Sequence, residues 1–163
     1  MRTKIEFLKD PKDGKRQVFD LISELRDKAE THSGMHQMVL LIMRGLEFLQ
    51  HHGYPHAEDF FFTDTLENGD PYTIRLIKTL SKEPLIEFRI NYREVGAFRI
   101  VFFVHYIKNV QILVMAKAVI KQSTYSKEFN QIVRDTSAIY SKFVQDPEHF
   151  ININSIEGIE QNE

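Results

Sequence analysis

Hydrophobic and polar residues alternate over residues 3–9, where Ile5 and Phe7 are set against Lys4 and Glu6 with the period of a half-buried strand. Pro11-Lys12-Asp13-Gly14 then turns the chain. Beyond it the period lengthens. Val18, Leu21, Ile22, Leu25 and Ala29 recur at i, i+3, i+4, i+7 and share one face of a helix that His32-Ser33-Gly34 ends. A second helix follows at once, striped by Met35, Met38, Val39, Ile42, Leu46 and Leu49. Leu40, Leu41, Met43 and Phe48 widen that stripe, so burial on more than one side is expected until Gly53-Tyr54-Pro55 stops it. The two read as a helical hairpin laid on a sheet.

Residues 56–72 have no helical period and read as a long loop or an extra hairpin, while residues 74–80 fit a short strand or a helical turn equally. Three strands follow, at 85–93, 97–107 and 110–119, rich in β-branched and aromatic residues. Their short links make them an antiparallel meander. From Ser126, a suitable N-cap, Phe129, Ile132, Val133, Thr136, Tyr140 and Phe143 keep helical spacing until Asp146-Pro147. The expected fold class is α+β: an N-terminal strand and helical hairpin packed on a mainly antiparallel sheet, with a C-terminal helix. One domain is expected over residues 1–146, with an inserted segment near 56–72, and a partly flexible extension over 147–163.

Composition supports a folded domain: of 163 residues, 42% are hydrophobic and thirteen are phenylalanine, ample apolar surface to offset chain entropy. There is no cysteine, which excludes disulfides, thiolate zinc sites and a cysteine nucleophile. The N-terminus lacks a secretory apolar region and no run reaches the length of a membrane helix, so a soluble, cytoplasmic protein without membrane partners is expected. The net charge of −2 hides an asymmetry. Residues 71–143 carry twelve Lys and Arg against five Asp and Glu, whereas residues 1–70 carry nine against thirteen and residues 144–163 only five acids. A basic segment between acidic ones suggests an anionic ligand, or simply a solvated sheet face.

Within that segment, EFRINYREVGAFRIVFF (residues 87–103) interrupts apolar strands with Arg89, Arg93 and Arg99. Alternation puts Ile86, Phe88, Ile90 and Tyr92 on one face with Phe98, Ile100, Phe102, Val104 and Tyr106. Glu87, Arg89, Asn91 and Arg93 share the other with Arg99, Val101, Phe103 and His105. The second face is expected to be open, basic and aromatic. Guanidinium groups on rigid strands suit phosphate, because the planar fork is pre-organised and always charged. Pairing of Arg89 with Glu87 on a wetted face is the alternative.

The order of short motifs, Lys78-Thr79-Leu80, Glu87-Phe88-Arg89-Ile90, Phe98-Arg99-Ile100, an apolar hairpin and a lysine-bearing exit before a helix, resembles the RelE/ParE superfamily of toxins, in particular the HigB-like, phage Gp49-related group. The resemblance implies a toxin of a type II toxin–antitoxin pair, neutralised by a cognate antitoxin and acting as an endoribonuclease on mRNA at the ribosome. A non-catalytic ParE-like or phage-encoded inhibitor of a protein target is the alternative. It further implies Arg99 as the arginine facing the scissile phosphate, with Arg89 and Glu87 beside it. Such cleavage requires activation of a ribose 2′-OH, stabilisation of a phosphorane and protonation of the leaving 5′-oxygen. Arg99 and Arg89 would stabilise charge, and His105, Glu87 or Tyr125 would move protons. Lys78, Arg93, Lys117, Lys121 and Lys127 would contact RNA. With a two-residue turn at Lys108-Asn109, Lys117 is expected opposite Ile100 on the apolar face, leaving Lys121 the more accessible.

Neither a metal nor a cofactor is expected. His51, His52 and His56 with Glu58 and Asp59 lack a ligating spacing, and no phosphate loop, nucleophile elbow or dinucleotide fingerprint occurs. Phe60-Phe61-Phe62 reads as a cover for the sheet edge or a partner-binding patch.

Overall fold

The computed structural model describes residues 1–121 and 126–153. Its elements are β1 (Arg2–Phe7), α1 (Gln17–Ala29), α2 (Ser33–His52), β2 (Phe62–Thr65), β3 (Pro71–Ile74), β4 (Ile77–Thr79), β5 (Ile86–Tyr92), β6 (Gly96–Ile107), β7 (Val110–Lys121) and α3 (Lys127–Phe143). Short 3-10 turns occupy His56–Asp59 and Pro147–His149. Five strands form one sheet in the order β1-β7-β6-β5-β4, while β2 and β3 pair separately. β1 lies parallel to β7 and every other pairing is antiparallel. This is the α+β arrangement expected, with the meander at its centre. The unassigned stretches resolve into the β2–β3 hairpin and the short edge strand β4.

The helix ends follow their local chemistry. The Met35 N–H donates to His32 Nδ1 at 3.0 Å, and the Phe129 N–H donates to Ser126 Oγ at 3.1 Å, each satisfying an amide the first helical turn leaves unpaired. Gly53 ends α2 with φ +73°, a conformation open to glycine. At Gly45 an added Cβ would lie 3.1 Å from both Leu76 and Phe88, so the missing side chain lets α2 settle closely on the sheet.

The first face carries the main core, where Met38, Leu41, Ile42 and Leu49 of α2 meet Phe88, Phe98, Ile100, Phe102 and Met115. The second face is not open as expected. Val101, Phe103, Ile112, Val114 and Ala116 form a second core with Leu8, Phe143, Phe150 and Ile151, and α3 packs over it. The ring of Phe103 sits edge-on to Tyr140 at 5.0 Å and Phe143 at 4.9 Å. The reason is apolar patterning on both sides of β6 and β7, the mark of strands covered on both faces.

A bulge corrects the expected register. Phe102 pairs with Met115 and Val101 with Lys117, leaving Ala116 without a partner on β6. The extra residue exchanges the faces of all later β7 side chains. Lys117 therefore opposes Val101 rather than Ile100, and Lys121 opposes Ala97. Past the end of β1, the free edge of β7 is closed by a side chain. Gln17 Nε2 donates to the Ala118 carbonyl at 2.9 Å and its Oε1 accepts the Ala118 N–H at 2.7 Å. Across the sheet, the Tyr72 hydroxyl does the same for β5, donating to the Asn91 carbonyl at 2.7 Å and accepting its N–H at 3.1 Å.

Candidate functional site

Where the apolar part of the second face ends, register places Lys78 of β4 opposite Glu87 of β5, and Arg89 of β5 opposite Arg99 of β6. Two like charges directly across a strand pair repel. The diagonal neighbour relieves them: Glu87 Oε1 lies 2.8 Å from Arg99 Nε, with both side chains over nine-tenths buried. The Nε–H is not aligned on that oxygen, so the contact is a close ion pair rather than a directed hydrogen bond. Arg99 Nη1 donates to the Phe98 carbonyl at 3.0 Å. Arg89 turns the other way, its Nε donating to the Arg75 carbonyl at 2.9 Å.

Lys121 completes the group. Burial first, then the neighbouring Arg99, lower its pKa from the usual lysine range; Lys78 and Arg89 add to the effect and Glu87 opposes it. Its ammonium stands 5.3 Å from the centroid of the Phe129 ring. Arg99 is likewise pushed down by burial, with Glu87 opposing and Arg89 adding. Of the four cations in this region, Arg99 alone pairs directly with the Glu87 carboxylate, and the burial that disfavours the charged forms of Arg99 and Lys121 is a cost that a bound anion offsets. Tyr72 belongs to the same environment: burial raises its pKa, while its bond to Asn91 and the charge of Arg99 pull it back. Sequence reading overlooked Tyr72, and only its place in a turn-rich aromatic stretch hinted at it.

The other expected residues disperse. His105 is six residues along β6 from Arg99, about 20 Å for an extended strand, and its ring lies edge-on to Phe143 at 5.0 Å. Burial lowers its pKa. It does not join the arginines. Lys117 lines grooves with Asp10 and Asp135 instead of the cluster. Arg93 is exposed in the turn after β5, and Lys127 is exposed at the start of α3. Tyr125 lies outside the described residues. The expectation of an accessible arginine face is corrected most sharply at Arg99, which is 6% exposed, whereas Arg89 is half-buried and Lys78 exposed. No group of three or more His, Cys, Asp or Glu among the described residues is arranged to hold a metal ion. No helix among them is long and apolar enough to cross a membrane.

No family model, curated protein or solved structure matches the chain.

Proposed function

We propose that this chain is a growth-arresting toxin of the RelE/ParE kind, held in check by a cognate antitoxin and cutting mRNA on the ribosome. The observation that supports this reading is the buried Arg99–Glu87 pair, with Arg89 opposite Arg99 and Lys78 opposite Glu87 on the flanking strands and Lys121 close enough to feel their charges. The order of motifs along the chain, and an N-terminal strand and helical hairpin on a mainly antiparallel sheet, are in keeping with it.

In the resting arrangement Glu87 occupies Arg99, so a substrate phosphate engages Arg99 by displacing that carboxylate. The displaced Glu87 is then a base beside the ribose 2′-OH. It takes the hydroxyl proton as the 2′-oxygen attacks phosphorus. Arg99 and Arg89 hold the non-bridging oxygens as negative charge builds on the phosphorane. Lys121, made more acidic by burial and by its cationic neighbours, gives a proton to the departing 5′-oxygen. The products are a 2′,3′-cyclic phosphate and a 5′-hydroxyl.

Induced expression should arrest growth, and mapping of cellular transcripts should show new 5′-hydroxyl ends. Arg99→Gln should abolish both. Because Arg99 is buried, Arg89→Gln serves as a second variant less exposed to misfolding, with at least a tenfold expected loss of cleavage. Normal growth on wild-type expression would overturn the proposal. The burial of Arg99 favours one other reading, a non-catalytic inhibitor of a protein target; growth arrest with intact transcripts would identify it.

A further inference from the structure

The inserted segment carries two solvent-facing aromatics, Phe60 at 48% and Phe61 at 52% exposure. Phe60 is extended in backbone, so the two rings leave the chain on opposite sides. Phe60 leans on His52 with ring centroids 4.8 Å apart. Phe61 has a different neighbour: the Arg75 guanidinium lies 4.4 Å from its ring centroid. That guanidinium is fixed, since Arg75 Nη1 donates to the Glu58 carbonyl at 2.8 Å. The Arg75 carbonyl in turn receives Arg89 Nε. A backbone contact therefore joins the aromatic ledge to the cationic cluster.

Resting on the RNA-directed reading above, we propose that Phe61 and Arg75 form a stacking subsite for an unpaired base of single-stranded RNA whose phosphates run toward Arg89. A ring backed by a cation and open to water offers its surface to any base, because every base has a π-face. The adjoining charge is complementary to the strand: Arg75 stacks on Phe61, and its carbonyl holds Arg89. Of the nearby acids, the Glu58 carboxylate is engaged, its Oε1 accepting from Thr79 Oγ1 at 2.6 Å, while Asp59 is exposed. Single strands are favoured over duplex because a paired base keeps its faces inside its own stack.

The test is fluorescence anisotropy of the full chain with a labelled single strand of about a dozen nucleotides, 2′-O-methylated so that binding is read apart from cleavage. Phe61→Ala should weaken binding about tenfold or more, and Phe61→Tyr should restore it to within about twofold. Arg75→Gln should weaken binding and flatten its salt dependence. Unchanged affinity of Phe61→Ala would overturn the subsite. So would full affinity of Phe61→Leu, which would mark an apolar protein-docking contact, or equally tight binding of the matching duplex. Failure here leaves the ribonuclease reading standing if transcripts are still cut. Binding that depends on Phe61 in a protein that cuts nothing would sink that reading and keep the subsite.

Discussion

Removing one member of the Glu87–Arg99 pair should cost the fold far more than removing both. The side chains are 8% and 7% exposed and meet at 2.8 Å, so either single substitution strands a charge away from water. Breaking a pair in such surroundings costs about 3–5 kcal/mol, whereas replacing both partners by apolar residues of similar volume is often near neutral. For a domain of this size each kcal/mol lowers Tm by roughly 2–4 °C, so Glu87→Leu or Arg99→Met should melt roughly 6–20 °C below wild type. The Glu87→Leu/Arg99→Met double variant should recover most of that loss. The assay is urea unfolding of all four proteins, read as a double-mutant cycle, with a coupling energy of about 2 kcal/mol or more expected. A single-variant cost below about 1 kcal/mol, or a double variant whose loss equals the sum of the singles, would refute the claim of a desolvated pair. The same cycle bears on function, since a pair that strong is a barrier to a phosphate that must displace Glu87.

Burial lowers the pKa of His105, so on acidification the unfolded chain takes up its proton first. Stability is therefore intact above about pH 6.5 and erodes below it until the lower folded-state pKa is passed. His105→Phe should flatten the pH dependence of Tm on the acid side of about pH 6.5, and an unchanged slope would count against burial as the cause. At the free edge of β7, Gln17→Ala removes both bonds to the buried Ala118 backbone and should cost about 1–3 kcal/mol. Hydrogen exchange at the Ala118 amide should accelerate; retained protection would show that another group closes the edge.

Much of the architecture was legible along the chain because it is set by neighbouring residues. The 3.6-residue stripes of α1 and α2, the Ser126 cap of α3 and the alternation of β5 to β7 all appear where their patterns place them. The site was legible only in part. Alternation correctly put Glu87, Arg89 and Arg99 on a common face. The apolar residues Val101, Phe103, Val114 and Ala116 on that same face were the signal that something would cover it, and α3, with its own apolar stripe, was the available cover. His105 was lost to the site for the same reason, being on the right face but under the helix.

The sequence by itself determined which residues share a helix side or a strand face, since that follows from backbone period and nothing farther away. Only the tertiary structure decided which of those faces meets water, because exposure depends on what docks from elsewhere in the chain. It also decided the side on which Lys117 and Lys121 emerge, through one unpaired residue at Ala116. And it decided that Arg99 faces a buried carboxylate on the neighbouring strand, a diagonal contact that spacing along a single strand does not encode.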